Sequence, residues 1–246
     1  MVDLHSHVLP GIDDGAPDMN VAKSMARRAA ADGCAVLVAT PHVHHATWPN
    51  TDRRRLEKLW RKVRLSVDGV IDIRLGSEIA INSESVEELY DLPESDLLTL
   101  ADSRYVLIEL NWQGLGPDIL DVVHELVVHD MKPVIAHPER VGWLTGIPHM
   151  MEDLVDRGAL LQLTAASVTG DLGKRLQSYC DDLLSAGLAH FVASDAHDLS
   201  GRPPGLTEAY RHVATNHSPG LARRVFVNNP QAVIDDQPLP AANGVS

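Results

Sequence analysis

Residues 133–140 read PVIAHPER. The apolar run is too short for a helix and stops at a histidine followed by proline, so it reads as a buried strand ending at His137. Arg140 stands three residues further on. The same arrangement recurs along the chain. Short apolar runs at 2–5, 35–39, 71–76, 105–110, 133–136, 160–163 and 190–193 read as seven buried strands. Segments with helical spacing lie between them. Val21, Ala22, Met25, Ala29 and Ala30 form one apolar stripe that ends at Gly33; Ile119, Val122, Val123, Leu126 and Val127 form another. Alternating strand and helix predicts a parallel sheet with helices packed outside, closed or nearly closed into a barrel.

Six of the seven strands deliver a histidine or carboxylate at or just after their C-terminal ends. The first gives His5 and His7, which alternation places on one face with Ser6 on the other. The next three give His42, Glu78 and Glu109. The fifth gives His137, and the seventh Asp195 and His197. In a parallel barrel these ends share one face, where active sites are built. Any one of these residues is equally readable as a turn residue or a helix cap; six strands together point to a site. Imidazoles and carboxylates without a thiolate suit Mn²⁺, Fe²⁺ or Zn²⁺. The ligands outnumber the needs of one ion, so two or three ions bridged by a carboxylate such as Glu78 are expected. Arg140, and Arg202 in GRPP, lie close to the same face. Guanidinium forks match the oxygens of a phosphate monoester.

The totals set the frame. The chain has 246 residues, 44% of them hydrophobic, enough for one barrel-sized domain. We expect one domain over 1–236, with a Pro/Ala/Asn/Gly-rich tail over 237–246 that reads as disordered. A formal charge of −13 argues against a nucleic-acid surface. No apolar run is long enough to span a bilayer, and polar residues interrupt the N-terminus where a secretory signal would lie. Cys34 and Cys180 give no disulfide framework, which suits a reducing cytoplasm. Neither is a phosphatase nucleophile, because the arginine required six residues later is Thr40 or Ala186. The basic run RRRLEKLWRKVR at 53–64 reads as a helix with a solvated face, its functional alternative being a dock for an acidic partner segment.

DLHSH, LPGIDDG, ATPH, GSEI, IEL, AHPER and SDAHDLSGRPP follow one another from residue 3 to residue 204. In this order and spacing the chain resembles the bacterial PHP-superfamily protein tyrosine phosphatases of capsular and exopolysaccharide gene clusters. The resemblance implies a distorted (β/α)₇ TIM-like barrel with three divalent ions, expected to be manganese, with Fe²⁺, Zn²⁺ or Mg²⁺ as alternatives. It implies one ion on His5, His7, Glu78 and Asp195, a second on Glu78, Glu109 and His137, and a third on Asp14, His42 and His197. Arg140 and Arg202 would bind phosphate, and Asp13 would only shape its turn. The implied reaction is hydrolysis of phosphotyrosine, a hydroxide bridging two metals attacking phosphorus in line with the leaving phenolate. The proton donor to the leaving group is left open between a metal-bound water and a nearby histidine such as His44, which is equally readable as a solvated loop residue. The implied partner is a phosphotyrosine protein, a tyrosine autokinase governing polysaccharide synthesis. The rival on the same metal core is a small-molecule phosphomonoesterase such as a histidinol phosphatase.

Overall fold

The structure is a computed structural model that describes residues 1–91, 96–113 and 118–241. Among them lie nine strands: β1 (Val2–Ser6), β2 (Val36–Ala39), β3 (His42–Val43), β4 (Asp72–Leu75), β5 (Glu78–Ala80), β6 (Tyr105–Glu109), β7 (Lys132–Ala136), β8 (Leu160–Thr164) and β9 (Ala189–Ala193). Every pairing is parallel. The seven expected strands are present as β1, β2, β4, β6, β7, β8 and β9, and two short strands that were not expected, β3 and β5, follow breaks between Ala39 and His42 and between Leu75 and Glu78. Proline at position 41 donates no ladder hydrogen bond. At Gly76 a Cβ would stand 3.1 Å from the Leu100 side chain and 3.3 Å from its Cα, so the chain there passes close against Leu100.

These breaks divide the strands into a three-stranded sheet, β1-β2-β4, and a six-stranded sheet, β3-β5-β6-β7-β8-β9. The two ends of the series are stitched by a bridge between Ser6 and Ala196. Asp195 N–H donates to the His5 carbonyl at 3.0 Å, and His7 N–H donates to the Ala196 carbonyl at 2.8 Å.

Two apolar clusters lie on opposite faces of the strands. The inner one contains Val2, Leu4, Val38, Tyr105, Leu107, Val134 and Phe191. The outer one packs Leu37, Ile73, Val106, Ile108, Ile135, Leu161 and Val192 under the helices, including Met19–Ala31 and Ile119–Val128. Burial on both faces is why the strands read as continuous apolar runs. Leu4 and His5 both turn inward, which strict alternation forbids. The register shift between Asp3 and Ser6 permits it, a bulge re-aiming a side chain beside a site.

The start of the tail lies against the floor of this assembly. Tyr105 Oη donates to the Gln237 carbonyl at 2.7 Å, and Leu239 packs on the inner cluster. Composition, which reads this stretch as disordered, does not record that Tyr105 offers it a hydroxyl. Residues 242–246 of the expected tail lie outside the described residues. No helix among the described residues is long and apolar enough to cross a membrane.

Candidate metal centre

Strand residues His5, His42, Glu78 and Glu109 and the loops that follow the strands bring all nine expected ligands together, eight of them buried and Asp14 partly exposed. His5 Nε2 and His7 Nε2 stand 3.2 Å apart. His5 Nε2 lies 3.3 Å from Glu78 Oε2 and 3.4 Å from Asp195 Oδ1; His7 Nε2 lies 3.2 and 3.6 Å from the same two atoms. The far nitrogens settle what these atoms are. His5 Nδ1–H donates to Gln162 Oε1 at 2.8 Å, because the Gln162 amide nitrogen already donates to the Leu163 carbonyl. His7 Nδ1–H donates to Asp13 Oδ2 at 3.0 Å. In their neutral forms both rings therefore aim lone pairs inward, at two carboxylate oxygens. Ligand atoms held about 2.1 Å from one tetrahedral ion stand roughly 3.4 Å apart, the spacing found here. These donors fit a divalent cation.

A second set surrounds Glu78. His137 Nε2 lies 2.9 Å from Glu78 Oε1, while His42 Nδ1 lies 3.1 Å from Glu78 Oε2 and 3.4 Å from Glu109 Oε2. His42 Nδ1 and Glu78 Oε2 are buried without a hydrogen-bond partner. A third set joins Asp14 Oδ1 to His197 Nε2 at 3.3 Å and to His42 Nε2 at 3.5 Å, with His7 beside them. The grouping differs in detail from the expected one. Glu109 sits with His42 and Glu78, and His137 with Glu78 and His5. Two of the candidate ligands, His137 (φ 34°) and Asp195 (φ 52°), hold left-handed backbone, a strain characteristic of functional sites.

Electrostatics points the same way. Burial opposes charge on His5, yet the Glu78 and Asp195 carboxylates outweigh it and raise the imidazole to about 9. Burial likewise opposes charge on Glu78 and Asp195, but the surrounding imidazoles, His5 foremost, pull both down, Asp195 to about 2. Glu109 is pushed up by burial and then by the Glu78 charge. Protons are thus balancing crowded carboxylates, which bound cations do as well.

The two arginines border the centre. Arg140 Nη1 donates to Asp195 Oδ2 at 2.6 Å, and Arg202 Nη1 lies 3.8 Å from the same oxygen. Arg202 Nη2 donates to Asp14 Oδ2 at 2.9 Å. Sequence reasoning missed several supporting groups. Asp13 does more than shape the turn: it holds His7 and accepts from Gly15 N–H at 3.0 Å and His42 N–H at 3.3 Å. At Gly15 a Cβ would collide with the His7 carbonyl and Cβ, so only glycine lets this turn lie on the ligand. Trp48 stacks on His42 (5.4 Å, 8°) and Trp112 on His137 (5.6 Å, 11°), with the Arg140 guanidinium 5.5 Å from the Trp112 ring. His44 is not the histidine at the site. It is buried against Glu88, 3.3 Å away, and His45 stacks on His42 instead.

A profile of the family described as "Capsular polysaccharide synthesis, CpsB/CapC" matches residues 1–235. The chain belongs to this family. It is 36% identical over 205 residues to the tyrosine-protein phosphatase YwqE of Bacillus subtilis, covering 82% of this chain and 79% of that one. It is 29% identical over 244 residues to the tyrosine-protein phosphatase CpsB of Streptococcus pneumoniae, covering 96% and 99%. A solved structure from work on YwqE and CpsB, described as unique metal-dependent tyrosine phosphatases, superposes with a TM-score of 0.91 at 31% identity, covering 98% of this chain and 96% of that one. A Listeria monocytogenes lactonase superposes at 0.60 with 11% identity, a likeness of fold alone.

Proposed function

We propose that the chain is a metal-dependent protein tyrosine phosphatase, hydrolysing phosphotyrosine in a protein partner. The observation that carries this reading is the convergence of inward lone pairs from His5, His7, Glu78 and Asp195 beside two arginine forks that meet at one Asp195 oxygen. His5, His7, Glu78 and Asp195 would hold one ion; Glu78, Glu109 and His137 a second; Asp14, His42 and His197 a third. We take the ions to be Mn²⁺, which imidazole and carboxylate donors suit. Bound divalent ions supply a water of lowered pKa and neutralise charge on phosphoryl oxygens.

The chain's own groups do the rest. Arg140 and Arg202 approach from two sides and grip the equatorial phosphoryl oxygens through their forks, where charge grows in the transition state. Gln162 and Asp13 keep His5 and His7 in the tautomer that faces lone pairs inward. A phenol of pKa about 10 leaves as its anion more readily than an alkanol, so the site needs little proton donation to the leaving group. The buried thiols take no part. Burial pushes Cys34 up to about 12 and Cys180 further, and neither is available as a thiolate.

The partner we infer is a tyrosine autokinase of capsule or exopolysaccharide synthesis, in keeping with the family. We read residues 1–236 as one catalytic domain. We place the protein in the cytoplasm, where two free cysteines remain reduced. The test is hydrolysis of a phosphotyrosine peptide by chelator-treated protein with Mn²⁺ added back, beside an Asp195→Ala, His197→Ala double variant. Activity is expected only with metal and intact ligands. Turnover of histidinol phosphate without turnover of the peptide would move the enzyme to small-molecule metabolism.

A further inference from the structure

At the end of the strands opposite the metal centre, a cleft of about 460 Å³ lies between the barrel floor and the tail residues Pro238, Leu239 and Pro240. That volume is typical of small-molecule sites. Its polar side chains are Lys132 at the start of β7, His190 near the start of β9, Arg224, Asn229 and Tyr105, whose hydroxyl is taken by the Gln237 carbonyl. Among the described residues no carboxylate lines it, in a chain of net charge −13.

The state of the first four groups is informative. Arg224 is half-buried, yet its guanidinium has no ion pair or hydrogen bond among the described residues. Arg104, Arg140 and Arg202 all hold carboxylates. The nearest acid to Lys132 Nζ is Asp130, 4.0 Å away. Asn229 is buried, and its Nδ2 donates to the His190 carbonyl at 2.9 Å, but its Oδ1 has no partner. His190 Nδ1 accepts from Leu161 N–H at 3.1 Å, so the neutral ring carries its proton on Nε2. Burial lowers His190 to about 4 against the raising effect of the Leu188 backbone, the Arg224 charge adds to the fall, and the ring stays neutral near pH 7.

The backbone that presents Arg224 and Asn229 is unusual. Arg224–Asn228 forms a π-helical turn closed by Asn229 N–H on the Arg224 carbonyl. Such turns are rare and recur at functional sites. This one puts Arg224 and Asn229, five residues apart, onto one cleft.

We propose that this cleft binds a small hydroxylated organic anion. Its carboxylate or phosphonate-type group pairs with Arg224 and Lys132. Its hydroxyl accepts from His190 Nε2–H and donates to Asn229 Oδ1, and its carbon skeleton lies against Leu160 and Leu239. The site is separate from the metal centre and independent of the phosphatase reading.

Two probes distinguish the anion's source: glycerate as the carboxylate and 2-hydroxyethylphosphonate, which no phosphatase hydrolyses, as the phosphonate. Each is titrated calorimetrically into the metal-loaded protein and into Arg224→Gln, Leu239→Glu and Arg140→Gln variants, with melting temperatures checking the fold. Saturable binding of at least one probe is expected, weakened at least about ten-fold by Arg224→Gln. Leu239→Glu, which puts a negative charge on the cleft's cover, is expected to weaken binding without removing a donor. Arg140→Gln is expected to leave it unchanged. Binding that survives Arg224→Gln and Leu239→Glu but is lost in Arg140→Gln places the anion at the metal centre and overturns the proposal. Absence of binding by both probes up to about 20 mM overturns it equally.

Discussion

Replacing Asp13 with asparagine tests whether the metal centre is set by hydrogen bonds behind its ligands. In the native protein Asp13 Oδ2 accepts from His7 Nδ1–H at 3.0 Å and from His42 N–H at 3.3 Å, while Oδ1 accepts from Gly15 N–H at 3.0 Å. Asparagine keeps the size but has one acceptor oxygen. If that oxygen stays on Gly15, the new NH₂ faces two donors. His7 then relieves the clash by moving its proton to Nε2, which removes the lone pair now 3.2 Å from Glu78 Oε2. Loss of such a partner costs about 10- to 100-fold in metal affinity, or roughly 1.4–2.8 kcal/mol. The assay is competition for Mn²⁺ against a fluorescent chelator, with ion content counted at saturation. At saturating metal the variant is expected to recover most of its phosphotyrosine turnover, because no first ligand has been removed. Wild-type Mn²⁺ affinity in Asp13→Asn would refute the reasoning.

Trp112→Ala strips the aromatic face beside Arg140, an interaction of about 0.5–1 kcal/mol at an exposed position. The expected result is a roughly two- to five-fold rise in KM for a phosphotyrosine peptide with kcat little changed. Cys34→Ala and Cys180→Ala are each expected to lower stability by about 1 kcal/mol through lost packing while leaving peptide turnover intact; loss of turnover would revive a thiol mechanism. His190 supplies a pH signature. Its folded pKa of about 4 lies below the model-peptide value of 6.5, so the unfolded chain binds the extra proton between those limits. Stability is fully present above about pH 6.5 and falls as pH drops toward 4, by an amount on the order of 3 kcal/mol. His190→Gln is expected to flatten that limb in denaturant titrations across this range.

Strand positions were legible because the strands are buried on both faces and leave uninterrupted apolar runs. The short strands β3 and β5 were not, since they lie beyond Pro41 and Gly76 and each begins on a polar residue, His42 or Glu78, that breaks the apolar pattern. The clustering of the candidate ligands was legible because a polar residue ending an apolar run has few bland reasons to recur on strand after strand. Their partition among ions was less so, since it depends on which carboxylate oxygen each ring meets. Gln162 left one faint sign, a lone amide in LLQLT, but nothing local says that its partner is His5. Adjacent residues of like chemistry defeated sequence reading most. Alternation from His42 favours His44, but His44 adopts left-handed backbone (φ 57°), which resets the phase and turns His45 onto His42. In the same way, the DD pair does not announce that Asp13 stands behind the ligands and Asp14 among them.

The seam between β1 and its last neighbour carries a consequence for how the protein matures. The bonds that close it, Asp195 N–H to the His5 carbonyl, His7 N–H to the Ala196 carbonyl and the Ser6–Ala196 bridge, belong to the segments that bear four of the proposed ligands. His5 and His7 precede Asp195 and His197 by 190 residues. Because a ribosome works from the N-terminal side, a nascent chain exposes the two histidines long before their carboxylate partner exists. An ion held as proposed cannot be enclosed until the Asp195 segment has emerged, and the same event closes the seam between β1 and the segment after β9.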